Sequence, residues 1–388
     1  MGAPHPALLD LVAGRALPAI GDSSALVRSA VDHRVHGLLW SAVRAGEVAL
    51  DAPDRLALAG HAVATRSLQS RIWAALDRVA PAAAALGVDI ATVKGVTAEA
   101  RWYDAEGERP CRDLDLLVAP HHLDRVGALI RHLDPLHPLA GDVQALVDAG
   151  RLQSVQVVVA DVPVDIHLDL FKLGVPSRQR DAIWQGTVPF PLPSGGIVAV
   201  LDAETALVHF LVHMNKDRFR WLLGYADVVH LLQRTTVDWD RVDVLAAGDG
   251  LEVPVRRSLA AVLDGLGLPR QGPAPLPGWR DVAWQRLWSE RVRLQGDLGV
   301  VRFRHRQALL PALAPGRAPE ALGLWARKLF PDPDLVTYSN GAEKGGYVRR
   351  LTSGRFHRAV QRHRDVDRLR RGGPQGPTPA RSATRERG

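Results

Sequence analysis

The chain has one cysteine, Cys111, in 388 residues. An internal disulfide is therefore excluded, and a reducing, cytoplasmic location is expected. Cys111 lies between Arg109 and Asp113 with no base nearby in sequence, so it reads as a turn filler rather than a nucleophile. No apolar run reaches the roughly 20 residues that a membrane helix needs. The first residues lack a basic region followed by an apolar block, so no signal peptide is expected. There is no internal repeat. Ser339 to Tyr347 is glycine-rich but follows no strand and lacks the spacing of a phosphate-binding loop. No glutamate follows His209, which rules out the zinc-protease helix.

Net positive charge is confined to one end. The formal net charge is +7, yet from Lys344 onward 13 Lys and Arg stand against three Asp and Glu. The preceding residues are thus slightly acidic, and the high pI says nothing about nucleic-acid binding by the rest of the chain. The basic tail is either solvated or meets an acidic partner, nucleic acid or lipid. From Gly372, rich in Gly, Pro, Arg and Ser, disorder is expected.

Chemistry concentrates between Val93 and Val118. Gly87 to Val93 is short, apolar and β-branched, and predicts a buried strand ending at Lys94. Gly95 follows, and Val96 to Tyr103 reads as a helix. A strand that passes through glycine into a helix presents backbone N–H groups suited to phosphate, with Lys94 as a positive charge beside them. A solvated strand end and a plain turn are the other reading. In Asp113 to Val118, alternation puts Asp113 and Asp115 on one face and Leu114, Leu116 and Val118 on the other. Close carboxylates repel unless a cation lies between them, and Mg²⁺ accepts such oxygen ligands. An exposed edge of an ordinary strand is the alternative.

Val162 to Leu170 predicts a second strand of this kind, with Asp165, His167 and Asp169 opposite Val164, Ile166, Leu168 and Leu170; Gln153 to Val159 is its expected hairpin partner. If the two acidic strands are neighbours, Asp165 completes a three-carboxylate cluster able to hold two metal ions. Asp169, about 13 Å farther along, falls outside it. His167 reads either as a substrate contact or as a satisfied surface histidine.

This order resembles the uncharacterised nucleotidyltransferase family of the DNA polymerase β-like superfamily: strand, Lys-Gly, helix, Arg-Pro-x-x-Asp-x-Asp-Leu-Leu-Val, helix, then a strand with Asp-x-His. Val31 to Val43, Leu207 to Leu232 and Leu329 to Val336 are similar to that family's N-terminal His-x-Val-x-x-Leu-Leu helix, its His/Lys and Arg-Trp-Leu helical pair and its Phe-Pro segment. The resemblance implies an α+β fold, a polymerase β-like mixed sheet with helices. It implies that Asp113, Asp115 and Asp165 bind two Mg²⁺ ions, with Mn²⁺ as an alternative. Lys94 and Gly95 would take the place of the superfamily's Gly-Ser phosphate turn, and Arg109, which matches the family arginine before the aspartates, would join them in binding the nucleotide. Arg112 and the Lys-Gly turn depart from the usual pattern.

The expected organisation is an N-terminal helical region (1–85), a catalytic α/β segment (86–200), a C-terminal helical domain (201–343) and the basic tail (344–388). Residues 1–85 show helical spacing and no catalytic constellation, and read as scaffold or as a substrate-shaping cap. His121 to Leu133 is an expected helix. Asp202 is an expected N-cap of a helix placing His209, His213 and Lys216 on one face, as substrate contacts or as a polar seam. Arg218 and Arg220 reach either phosphate or solvent. Trp279, Trp284 and Trp288 read as core packing of one helix. The expected activity is transfer of a nucleoside monophosphate from an NTP to an acceptor hydroxyl, phosphate or protein side chain. The alternative is a catalytically weak nucleotide-sensing or partner-binding module on the same fold.

Overall fold

Four helices precede the first strand: α1 (Pro6–Val12), α2 (Ser23–Asp32), α3 (His36–Arg44) and the 34-residue α4 (Ala52–Ala85). The computed structural model describes residues 3–137, 152–171, 176–217 and 219–287, with 144, 147 and 319. Asp22 caps α2 by accepting from the Ala25 amide at 2.8 Å. The apolar spacing of these helices puts Leu8, Leu26, Leu39, Ile72, Leu76 and Val79 inside. Burying each such side chain contributes about 1.5–3 kcal/mol.

A mixed six-stranded sheet follows, built from β1 (Ile90–Thr92), β2 (Leu114–Val118), β3 (Ser154–Val159), β4 (Val162–His167), β5 (Thr187–Pro191) and β6 (Ile197–Leu201). The strand order is β3-β4-β2-β1-β6-β5. Outer pairs β3–β4 and β5–β6 are antiparallel hairpins; β2–β4 and β1–β6 are parallel, and β1–β2 is antiparallel. Every residue of β2 is buried, as befits a strand covered on both faces. Asp115 is the polar exception among them.

The remaining helices are α5 (Val96–Trp102), α6 (Val126–Leu133), α7 (Arg180–Gln185), α8 (Ala203–Asp217), α9 (Leu222–Arg234), α10 (Trp239–Gly248), α11 (Glu252–Gly265) and α12 (Trp279–Leu287). One apolar cluster joins Leu8 and Leu39 of the first helices to Trp102 and Leu117 and onward to Leu211, Val262 and Trp284. The cleft described below lies where these helices meet the end of the sheet. Among the described residues, no helix is long and apolar enough to cross a membrane.

Several boundaries differ from expectation. The strand expected over Gly87 to Val93 is only Ile90–Thr92, because α4 runs to Ala85 and the chain turns at Gly87 with φ 62°. The helix expected from His121 splits into a 3₁₀ segment, Pro120–Arg125, and α6. β4 ends at His167, and Asp169 turns away to accept from the Ser177 amide at 2.6 Å and from Arg180 at 3.2 Å. The tryptophans divide: Trp284 is buried and donates to Asn215 at 2.8 Å, whereas Trp279 is exposed. Trp288, Arg218, the Phe-Pro segment, the glycine-rich stretch and the basic tail lie outside the described residues.

Candidate active site

Parallel pairing of β2 with β4 sets Asp115 opposite Asp165, and Leu117 opposite His167. Asp115 is 2% exposed, while the side chain of Asp165 is open at the cleft. His167 Nε2 sits between them, 2.9 Å from Asp115 Oδ1 and 3.6 Å from Asp165 Oδ2. Asp113 falls just before β2 rather than within it. It still lines the same cleft as Asp115, Asp165 and His167. Burial, then the neighbouring charge of Asp115, raises the Asp113 carboxyl above its ordinary range; Lys94 opposes this and Asp165 adds to it.

Lys94 follows β1 directly, and its Nζ lies 3.1 Å from Asp115 Oδ2. Burial disfavours the ammonium, but Asp115 and Asp113 outweigh it, so Lys94 is held charged. Gly95 begins α5 at φ 77° and ψ −133°, a left-handed conformation that demands glycine. A Cβ there would meet its nearest neighbours at 3.7 and 3.9 Å, so conformation rather than space requires the residue.

The expected N-cap of α8 is present: Asp202 Oδ1 accepts from the Thr205 amide at 2.8 Å. His209, His213 and Lys216 all face the cleft. His213 Nδ1 lies 3.1 Å from Asp217 Oδ2. His209 is 2% exposed, and neither of its ring nitrogens has a hydrogen-bond partner. Burial, followed by repulsion from His213 when protonated and from the Lys94 ammonium, lowers its pKa well below the ordinary value, which favours the neutral ring.

Arg109, expected to bind nucleotide, is buried. It lines the cleft, but Asp227 of α9 occupies its guanidinium through Nε at 2.7 Å and Nη2 at 2.8 Å. Tyr103 Oη donates to the same carboxylate at 2.7 Å. The surrounding turn is tied on every side. Glu99 Oε1 accepts from the amides of Gly107 at 2.9 Å and Arg109 at 2.8 Å, and Gln69 of α4 donates to the Arg109 carbonyl at 2.8 Å. Gly37 of α3 packs so closely that a Cβ would lie 2.0 Å from the Gly107 carbonyl oxygen. The early helices therefore brace the turn that leads into Asp113 and Asp115.

The donor set fits a divalent cation. Asp115, Asp165 and His167 can each offer one ligand atom, all within 4.8 Å of one another. The raised Asp113 carboxyl reflects burial first and then the charges of Asp115 and Asp165, both of which a bound cation would offset. A second possible cluster, Asp89, His121 and His122, lies at the surface.

Sequence reasoning placed no cleft residue in the first helices. Arg34, in the turn between α2 and α3, nevertheless lines the cleft beside Lys94, as do Asp217 and Trp221. Arg34 lies inside the His-x-Val motif, but nothing local to that motif signals its position against residues near 220.

A family model described as uncharacterised nucleotidyltransferase matches residues 21–263. No curated protein and no solved structure matches.

Proposed function

The chain belongs to the uncharacterised nucleotidyltransferase family, and on that premise we propose that it transfers a nucleoside monophosphate from an NTP to an acceptor in an Mg²⁺-dependent reaction. The observation that carries this reading is the pairing of Asp115 with Asp165 on neighbouring parallel strands, with Asp113 in the same cleft. In this reading Asp113, Asp115 and Asp165 hold the metal, and His167 supports Asp115. Bound there, Mg²⁺, or Mn²⁺ in its place, would neutralise phosphate charge and align the reacting oxygens. Lys94 and the Gly95 amide face the phosphates. Arg109, bound to Asp227, positions the aspartate turn rather than contacting nucleotide. The acceptor oxygen forms a bond to the α-phosphorus, the bond to the β-phosphate bridge breaks, and pyrophosphate leaves with the electron pair. Asp165, the most open carboxylate of the β2–β4 pair, is placed to take the acceptor proton.

The Lys94–Asp115 pair gives the alternative its support: an ammonium already on a metal-binding carboxylate suits a nucleotide-sensing module with weak turnover. Incubation with each α-³²P-labelled NTP, Mg²⁺ and cell lysate separates the two. Label on a protein, RNA or small molecule, absent with Asp115→Asn and Asp165→Asn, supports transfer. Saturable NTP binding without label or pyrophosphate favours sensing.

A further inference from the structure

We propose that Arg34, Arg112 and Arg220 form a clamp for the β- and γ-phosphates of the incoming nucleotide. The proposal rests on the nucleotidyl-transfer reading and assigns its phosphate-binding wall. The three guanidiniums come from separate parts of the chain: the α2–α3 turn, the segment before β2, and the α8–α9 loop. All three line the lobe of the cleft that contains Lys94, Gly95 and Asp113. The other lobe is distinguished by Asp165, His167, His209 and Lys216. Its position next to Asp165, which is more open than Asp115, leaves that lobe for the acceptor.

Among the described residues, none of the three arginines makes an ion pair with a carboxylate, unlike Arg15, Arg256, Arg257 and Arg270, which are paired with Asp10, Asp243, Asp281 and Asp264. Burial, then repulsion from Arg112 and more weakly from Arg220, acts on the Arg34 cation against the attraction of Asp217 and Asp113. Like charges gathered without partners lower their energy when a polyanion enters, and guanidinium forks match phosphate oxygens.

The wall is also built to stay in place. Arg34 Cζ sits 3.8 Å from the Trp221 ring centroid, and Arg220 Cζ 5.5 Å from it. The Leu223 amide donates to the His33 carbonyl at 3.3 Å, tying the two loops together. Arg34 has φ 60° and Phe219 φ 53°, left-handed conformations that non-glycine residues adopt at a cost. Such strain next to unpaired cations fits loops shaped for a ligand. When the bond to the α-phosphorus breaks, negative charge collects on the departing pyrophosphate, which this wall faces.

The test uses the full-length protein and inorganic triphosphate, titrated calorimetrically without divalent metal. Arg34→Gln, Arg112→Gln and Arg220→Gln are each expected to weaken binding about tenfold or more, and Arg34→Lys to recover part of the loss. Arg270→Gln, which removes an exposed paired arginine, should bind as the wild type does. Arg112 is exposed, so its variant tests the clamp even if Arg34→Gln folds poorly. Unchanged triphosphate affinity in Arg112→Gln and Arg220→Gln would overturn the proposal, including the case in which the basic tail does the binding. Competition with an α,β-methylene NTP identifies the phosphate. Mutual exclusion supports the nucleotide tail, and simultaneous binding overturns that assignment in favour of an acceptor phosphate. A clamp that loses triphosphate on mutation while the wild type transfers no label would refute the transfer reading alone.

Discussion

Arg109 and Asp227 meet through two parallel hydrogen bonds, Nε to Oδ1 at 2.7 Å and Nη2 to Oδ2 at 2.8 Å, across 118 positions of sequence. Both side chains are buried. Removing one partner leaves an uncompensated charge in the interior, so Asp227→Leu and Arg109→Met are each expected to lose about 3–5 kcal/mol of stability. The double variant Arg109→Met/Asp227→Leu should lose clearly less than the two single losses combined. Urea denaturation of all four proteins measures the coupling, and strict additivity would mean that the pair does not hold the turn.

Gly37 tests the bracing of the same turn from the other side. A Cβ 2.0 Å from the Gly107 carbonyl oxygen and 2.6 Å from that of Glu108 cannot be accommodated without backbone movement. Gly37→Ala should cost about 1–3 kcal/mol or more and shift the aspartate turn. A melting temperature equal to that of the wild type would contradict the close contact.

Cys111 should be unreactive in the folded protein. Burial pushes its thiol up to about 11, with the Arg109 cation opposing the rise. Sγ also donates to the Arg109 carbonyl at 3.2 Å. Iodoacetamide near pH 8 should modify Cys111 only after denaturation, as read by intact mass; rapid labelling of the native protein would count against the burial.

His36 imposes an acid limit on stability. Burial, then His61 and Arg112, lowers its pKa from 6.5 to about 4, and its Nε2 lies 3.0 Å from Thr65 Oγ1. Between these two values the unfolded chain binds a proton that the folded chain does not. Stability is therefore retained above about pH 6.5 and falls as pH drops toward about 4, by at most about 3 kcal/mol from this group. Melting temperatures measured across that range should decline more steeply for the wild type than for His36→Gln. Equal slopes would remove His36 as the cause.

Divalent cations should stabilise the protein through the β2–β4 carboxylates. Millimolar Mg²⁺ or Mn²⁺ should raise the melting temperature of the wild type and leave Asp165→Asn unmoved, since binding to the folded state alone adds stability. An equal shift in both proteins would place the ion elsewhere, for instance at Asp89, His121 and His122.

The sequence by itself determined the local order. Alternation over Asp113 to Val118 and Val162 to His167 marks two strands with acidic faces, because a strand repeats every two residues. Lys94 and Gly95 at a strand end, and His209, His213 and Lys216 on one helix face, follow from the same periodicities. Tertiary structure decided which strands are neighbours, and so brought Asp165 beside Asp115. It also bound the Arg109 side chain to Asp227 and carried Arg34 to the ring of Trp221. No local pattern encodes these contacts, since they join distant segments whose separation is set by helix packing and core burial. Charge pairing follows that packing: a free arginine and a bound one look the same in sequence, and only the carboxylate that the fold does or does not deliver distinguishes them.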